Sequence, residues 1–393
     1  MSLPSSNMPS LPEFWTAPRW EQTMNLELSE EQQELRDNIR AVLANFCPTS
    51  LPRQIHEKTG NAQNLWEKMV ELGWPGLGIP EEFGGIGMSF VEVAILAEEL
   101  GRASAPGPLL ATTSQFLPIL IEFGQGELLS EVAQGLRTGS LALAEGRSWD
   151  LADISCQATA RDGLFTITGQ KVAVVSGAEV DSFAVVARDS LTHSLGVYLV
   201  ERGNVTVVPV GGVEPGLALA DLTFDAAPAR LIANGPGTTK SLEKALDQVV
   251  CAMALHMVGA CRRIFEITLE YSKVRVQYDK VIGSFQALKH RFTNLFLAVE
   301  RANAVGYFAA VAIAEDDERR CEAAHMAKVA AGDCQQLLVE DGLQLHGGIG
   351  YTWENDLHFW LKRAKAGEFL FGSSAFHRSA IAQSLGLLTE VTI

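Results

Sequence analysis

Arg275-Val276-Gln277-Tyr278-Asp279-Lys280-Val281-Ile282-Gly283-Ser284-Phe285-Gln286, with Lys289-His290 just beyond, is the stretch on which the reading of this chain turns. It separates a helical pattern over 240–274 from another over 286–315. Gln344-Leu345-His346-Gly347-Gly348-Ile349-Gly350-Tyr351-Thr352 then follows a third helical pattern over 318–345. Arg275 offers a fixed fork of donors suited to a pair of phosphate oxygens. Gln277 adds an amide and Tyr278 an aromatic wall. Gln344 and the Gly347-Gly348 turn let backbone approach a bulky ligand closely. Alone, Arg275 reads as a solvated charge at a helix end; in this context it reads as an anion anchor. No G-x-G-x-x-G joins a strand to a helix, so the glycines do not spell a dinucleotide-binding fold.

Length and composition frame this stretch. A chain of 393 residues, 47% hydrophobic, suggests two or three domains with a sizeable core. No run of eighteen or more uninterrupted apolar residues occurs, so no membrane span is expected. Residues 1–25 read as a flexible arm, without the basic region and apolar core of a secretory signal. The net charge of −16 argues against nucleic acid, but a small anion needs only a local positive site. Six scattered cysteines form no C-x-x-C and are expected to be reduced thiols in a cytoplasmic protein.

Residues 26–138 read as helical. Ser29-Glu30-Glu31-Gln32 is a capping box; residues 66 to 72 form a helix, and another runs from Ser89 to Leu100 with Gly101 as its C′ residue. Residues 139–236 switch to short β-rich runs: 164–168, 171–175, 182–187, 196–200, 205–210 and 220–224. They predict a small antiparallel barrel or sandwich. Asn234-Gly235-Pro236-Gly237 reads as a linker. Residues 237–393 return to long helices, a bundle in which each buries one stripe. The fold class is α+β multi-domain: N-terminal helical domain, middle antiparallel β-barrel/sandwich, C-terminal helical bundle.

This order, the 275–290 and 344–352 elements, and the loop Ile79-Pro80-Glu81-Glu82-Phe83-Gly84-Gly85-Ile86-Gly87 resemble the acyl-CoA dehydrogenase family. Ala97-Glu98-Glu99-Leu100-Gly101-Arg102 resembles the end of that family's next helix. The resemblance covers nearly the whole chain. It implies FAD as cofactor, an acyl-CoA substrate, α,β-desaturation, a tetramer, and an electron-acceptor flavoprotein. In the family a carboxylate takes the α-proton while the β-hydrogen leaves as hydride to the flavin. It also implies that Arg275, Gln277, Tyr278, Gln344, Gly347 and Gly348 serve FAD bound mainly by a neighbouring subunit.

Several positions depart from the family pattern. Its flavin-side Trp and Thr fall at Ala173 and Val175 in Gly169-Gln170-Lys171-Val172-Ala173-Val174-Val175-Ser176, and Ala144 replaces a hydroxyl residue. Its Gly-Ser-Asp loop has become Arg147-Ser148-Trp149-Asp150. The usual base position is Phe371, which cannot accept a proton; the family's other base site falls at Val249, beside Val250. Asp247 lies roughly 200° around the helix from Val249, and Glu368, one turn before Phe371, is the better substitute. The catalytic residue is therefore unassigned. Cys321 and His325 lie at i, i+4 but form only half a metal site, so no metal is expected. His346 is structural or near the cofactor, and Ser373 and Ser374 have no legible His–Asp pairing.

The losses leave what the family lends across a subunit interface and remove what a subunit uses for its own flavin. The resemblance thus implies a non-catalytic subunit of a heteromeric member. Such heteromers are known in bacterial steroid side-chain degradation, so the resemblance admits a bulky acyl-CoA as one substrate, with fatty acyl-CoA as another; the sequence itself does not specify the acyl group. Three alternatives stand beside it: a homomeric dehydrogenase with a relocated base, a flavin monooxygenase of the same fold, and a non-enzymatic binding subunit.

Overall fold

The computed structural model describes residues 26–387 apart from Asp162 and Val213; the expected arm over 1–25 lies outside the described residues. Ser29 starts α1 (Glu30–Phe46) with the capping box its sequence spells. Its hydroxyl accepts from the Gln32 N–H at 3.2 Å, and the Gln32 side-chain Oε1 accepts from the Ser29 N–H at 3.0 Å. Helices α2 (Ser50–His56) and α3 (Gln63–Glu71) follow, then α4 (Phe90–Arg102), N-capped by Ser89. Short α5 (Leu109–Ala111) continues through a π turn into α6 (Leu117–Glu122), and α7 (Gly126–Ala133) closes the helical region.

The middle region holds β1 (Gly139–Ala142), β2 (Gln157–Arg161), β3 (Leu164–Val174), β4 (Ser182–Asp189), β5 (Leu195–Glu201), β6 (Thr206–Pro209) and β7 (Ala220–Asn234). Five strands close on themselves in the order β4-β2-β3-β7-β5, with β5 pairing back to β4. β1 joins at β4 and β6 at β7. The sheet is not wholly antiparallel as expected: β1 and β2 both run parallel to β4. The two runs at 164–168 and 171–175 are one strand, broken in register between Lys171 and Val174. Within that irregularity Ala173 adopts φ +52. The linker's Asn234 ends β7, and the break falls at Gly235 and Gly237, both with positive φ.

The C-terminal region is built from α8 (Thr238–Val274), a hairpin β8 (Val276–Gln277) and β9 (Lys280–Val281), then α9 (Gln286–Ala314), α10 (Arg320–His346), α11 (Leu357–Phe369) and α12 (Ser374–Ser384). By length and composition α9 could cross a membrane. Half of its most apolar window is buried inside the protein, where its Leu295, Val299 and Ala302 join the core with α8 and α10.

Gly101 is not the expected C′ residue. It lies inside α4, where a Cβ would stand 1.9 Å from the His256 carbonyl oxygen of α8. Gly259 of α8 reciprocates, its missing Cβ 1.9 Å from the Glu98 carbonyl oxygen. The pair lets two helix backbones touch, so its role is close approach rather than chain reversal.

The three regions are tied by a buried ion pair. Arg363 of α11 donates to Glu214 from Nε at 3.1 Å and Nη2 at 2.9 Å, and its Nη1 donates to the Ala105 carbonyl at 3.0 Å. Glu214, in the loop before β7, also accepts from the Gly216 N–H at 3.0 Å. Burial would raise the Glu214 carboxyl, but Arg363 and His56 hold it below the usual carboxylate range.

Candidate functional site

The hairpin after α8 begins with Arg275, whose N–H donates to the Tyr271 carbonyl at 2.9 Å and whose carbonyl accepts from Ile282 at 2.8 Å. Tyr278 and Asp279 take φ +53 and +61, the two positive values of a two-residue turn whose twist suits a hairpin. Backbone bonds therefore fix the loop and leave its side chains outward. Arg275, Gln277 and Tyr278 are all exposed, Tyr278 at 88%.

Gln344, in the last turn of α10, is exposed too. Gly347 follows at φ +64 and ψ −147, a conformation essentially reserved for glycine. The two sequence elements meet through a ring stack: His346 lies on Tyr271, one turn before Arg275, with centroids 4.5 Å apart. His346 Nδ1 donates to the Gly342 carbonyl at 2.9 Å, so its role is to fix the glycine turn against α8.

This end of the bundle is locally cationic in an acidic chain. Residues 271–291 hold Lys273, Arg275, Lys280, Lys289 and Arg291 against a single carboxylate, Asp279. Lys273 pairs with Glu270 and Arg291 with Asp341. Among the described residues Arg275 has no ion-pair partner. Val276 and Tyr278 on the hairpin, and Ile349 and Tyr351 in the turn after α10, are exposed as well.

The second region is a cavity of about 670 Å³ between the β region and helices α8, α10 and α12. Phe371 lines it, buried and strained at φ +57. Its ring lies against Trp149, with centroids 4.8 Å apart. Two segments set apart in sequence thus form one aromatic contact. Ala144 and Val175 are buried; neither they nor Ala173 carries a polar side-chain atom.

Glu368 does not reach this cavity. Its two oxygens accept from the Ser374 N–H at 2.9 Å and the Ser374 hydroxyl at 3.0 Å. Ser373 caps α12 by accepting from the Phe376 N–H at 3.3 Å. These three residues are engaged in starting a helix. Asp247, set aside by the helical wheel drawn about Val249, does line the cavity, together with Val250. Burial raises its carboxyl to about 6 against the opposing pull of Arg320, whose Nε lies 3.0 Å away. The i, i+3 relation of Asp247 to Val250 was the available signal.

Cys321 and His325 also line the cavity, with Sγ 3.7 Å from Nε2. His325 Nδ1 in turn lies 2.7 Å from Nδ1 of His377, a contact across α10 and α12 that helical spacing could not reveal. No group of three or more metal-ligating side chains occurs among the described residues.

The architecture is a helical region, a closed β region and a helical bundle carrying an exposed, cation-rich hairpin. The acyl-CoA dehydrogenase N-terminal domain family matches residues 29–140, and the corresponding C-terminal domain family matches 239–386. The chain is 32% identical to the acyl-CoA dehydrogenase IpdE2 of Mycobacterium tuberculosis, over 85% of this chain and 91% of the relative. Among solved structures, a variant of the Tcur3481-Tcur3483 steroid ACAD is 27% identical with a TM-score of 0.82, covering 91% of this chain and 98% of that one. The ChsE4-ChsE5 complex from M. tuberculosis aligns at TM-score 0.83 and 23% identity, over 93% and 100%. This chain belongs to the acyl-CoA dehydrogenase family, FAD-dependent oxidoreductases.

The residues present fit FAD at one region and not at the other. The exposed Arg275 fork suits a diphosphate brought to the hairpin. At the positions that the family resemblance sets beside the isoalloxazine stand Ala144, Ala173 and Val175, none with a polar side-chain atom, and Phe371 lines the cavity where a base is usual.

Proposed function

We propose that this chain is the FAD-lending, non-catalytic subunit of a heterotetramer that desaturates an acyl-CoA thioester. Its partner is an acyl-CoA dehydrogenase chain that keeps the base and flavin-side residues this one lacks. One observation carries the reading: a solvent-facing Arg275, with no ion-pair partner among the described residues, stands on a hairpin fixed by backbone bonds, while Phe371 closes on Trp149 in the chain's own cleft.

On this reading Arg275 binds the diphosphate as a bidentate donor, and Gln277 and Gln344 supply amides beside it. Tyr278 walls the adenosine end, while Gly347 and Gly348 leave room for close passage. When bound, the flavin accepts the hydride and passes its electrons to an acceptor flavoprotein. The exposed Val276, Ile349 and Tyr351 become buried against the partner, which accounts for so much apolar surface beside a charged hairpin. The IpdE2 relative supports an acyl-CoA substrate, and the steroid ACAD supports a bulky acyl group within that class.

The test is expression of this chain alone and with an acyl-CoA dehydrogenase of the complementary pattern. The expected result is FAD and acyl-CoA turnover in the pair, with weak FAD binding and no turnover by the single chain. Stoichiometric FAD with rapid turnover by the single chain would overturn the reading. It would favour instead a homomeric dehydrogenase whose base is Asp247, the carboxylate that lines the cavity with a raised pKa.

A further inference from the structure

The cavity beside Phe371 holds a hydrogen-bond chain that FAD sharing does not use. His377 Nε2 lies 3.0 Å from the Phe371 carbonyl oxygen, which can only accept, so the His377 proton sits on Nε2. Lys328 Nζ locks the same turn, donating to the Glu368 carbonyl at 3.1 Å and the Gly372 carbonyl at 2.6 Å. Burial, with the Lys328 charge nearby, lowers His377 to about 3, and burial lowers His325 as well. Both rings are neutral at pH 7, each with one N–H. His377 Nδ1 is therefore the acceptor of the 2.7 Å contact, and His325 Nδ1 its donor. His325 Nε2 is left as a lone pair at the cavity. Its contact is the Cys321 thiol at 3.7 Å, a weak donor at long range.

The mouth of the cavity favours neither phosphate nor carboxylate. Lys244 is bound to both oxygens of Asp316 at 2.8 Å, and Arg320 to Asp247 and Asp316 at 3.0 and 2.5 Å. Lys240, Glu243 and Glu318 also line the cavity, none with an ion-pair partner among the described residues, so one cation stands there against two carboxylates. The walls are largely apolar, from Leu143, Trp149, Leu246, Val250 and Phe376. We infer that this cavity binds a neutral, mainly apolar alcohol, whose hydroxyl donates to His325 Nε2. The site goes beyond the FAD-lending role and does not depend on it.

A ketone of the same shape is the discriminating probe, because it has no proton to give to a lone pair. Calorimetric titration of the full chain with menthol and menthone should show menthol binding about tenfold more tightly, the equivalent of about 1.4 kcal/mol. Octanoyl-CoA should not compete with menthol. In His325→Phe the two probes should bind within about twofold of each other. Nitrogen NMR of the wild-type chain gives a second readout: His325 Nε2 should be unprotonated and should shift with menthol but not with menthone. Equal affinities, no binding of either probe, a preference that survives in H325F, or a protonated Nε2 would each overturn the inference. Competition by octanoyl-CoA would do so too. Failure of FAD sharing would leave the alcohol preference unchanged, so the two readings fail separately.

Discussion

Truncating Arg275 separates the anion-anchor role from a structural one. The hairpin is held by backbone bonds at 2.8 and 2.9 Å, and among the described residues the guanidinium pairs with no carboxylate. Arg275→Ala should therefore change folding stability by no more than about 0.5 kcal/mol, as at other surface positions. Charge-assisted hydrogen bonds to FAD phosphates contribute on the order of 1.5–3 kcal/mol. Their loss corresponds to roughly one to two decades in affinity. Arg275→Lys keeps the charge without the fork, and should fall between wild type and alanine. The assay is flavin-fluorescence titration of the apo assembly with its partner chain, at low and high salt, alongside a thermal melt. Because the site is open to solvent in the free chain, salt should narrow the gap between wild type and variant. An unchanged FAD Kd with the same salt response would show that Arg275 is only a surface charge.

Phe371→Glu should not by itself make an active enzyme. The new carboxyl would be buried, which raises its pKa, and Ala173 and Val175 would still not orient a flavin; turnover by the single chain at saturating FAD and near that of an ordinary family member would contradict this. Arg363→Met should destabilise the chain by about 3–5 kcal/mol, because Glu214 would remain buried without its cation; a chemical melt reads the loss. Since Glu214 is held below the usual range, the wild-type pair's contribution is present above about pH 4 and disappears as pH falls through the folded-state value. Asp247 has the opposite sign: raised to about 6 against an unfolded value of about 3.9, it favours the native state below about pH 4, and that contribution is lost as pH rises through about 6. Asp247→Asn should flatten this slope, worth on the order of 3 kcal/mol at full extent; an unchanged pH profile of stability would mean that the carboxylate is not desolvated.

The sequence was most legible where structure is local. The Ser29–Gln32 box, the Ser89 cap and the long helices follow from spacing within a few residues, and all occur close to the expected bounds. Gly101 misled because a glycine near a helix end signals a cap, whereas here the cause is a second helix 155 positions away at His256. Strand β2, Gln-Ala-Thr-Ala-Arg, is mostly exposed and carries no strong β pattern; it is a strand because β3 and β4 pair with it. The parallel pairings were hidden for the same reason, since register and direction are tertiary properties. In the cleft, the positions were legible by resemblance but the contacts were not. Glu368 looked available until Ser374 was seen to occupy both oxygens, and Asp247 looked misdirected because the wheel was centred on a residue that is core rather than wall.

The same distinction bears on why a subunit of the proposed kind would lose some contacts and keep others. Ala144, Val175 and Phe371 are buried, and Val175 and Phe371 belong to the main hydrophobic cluster. A polar group there without a cofactor to meet it would be desolvated and unpaired, at a cost of about 1–3 kcal/mol each. A chain that binds no flavin in that space is more stable with apolar atoms filling it, as Phe371 does against Trp149. Arg275, Gln277 and Tyr278 face no such pressure, because water satisfies them until a partner's cofactor arrives. Selection on stability therefore erases the first set once catalysis there ends, while only selection on the assembly preserves the second. If so, restoring hydroxyl and carboxyl groups to the cleft should lower the melting temperature of the single chain, whereas removing the hairpin's polar side chains should not. A cleft that accepts a polar side chain at Val175 or Phe371 without loss of stability would mean that space remains there for a ligand's polar atoms, and that the apolar filling is not the reason for the lost chemistry.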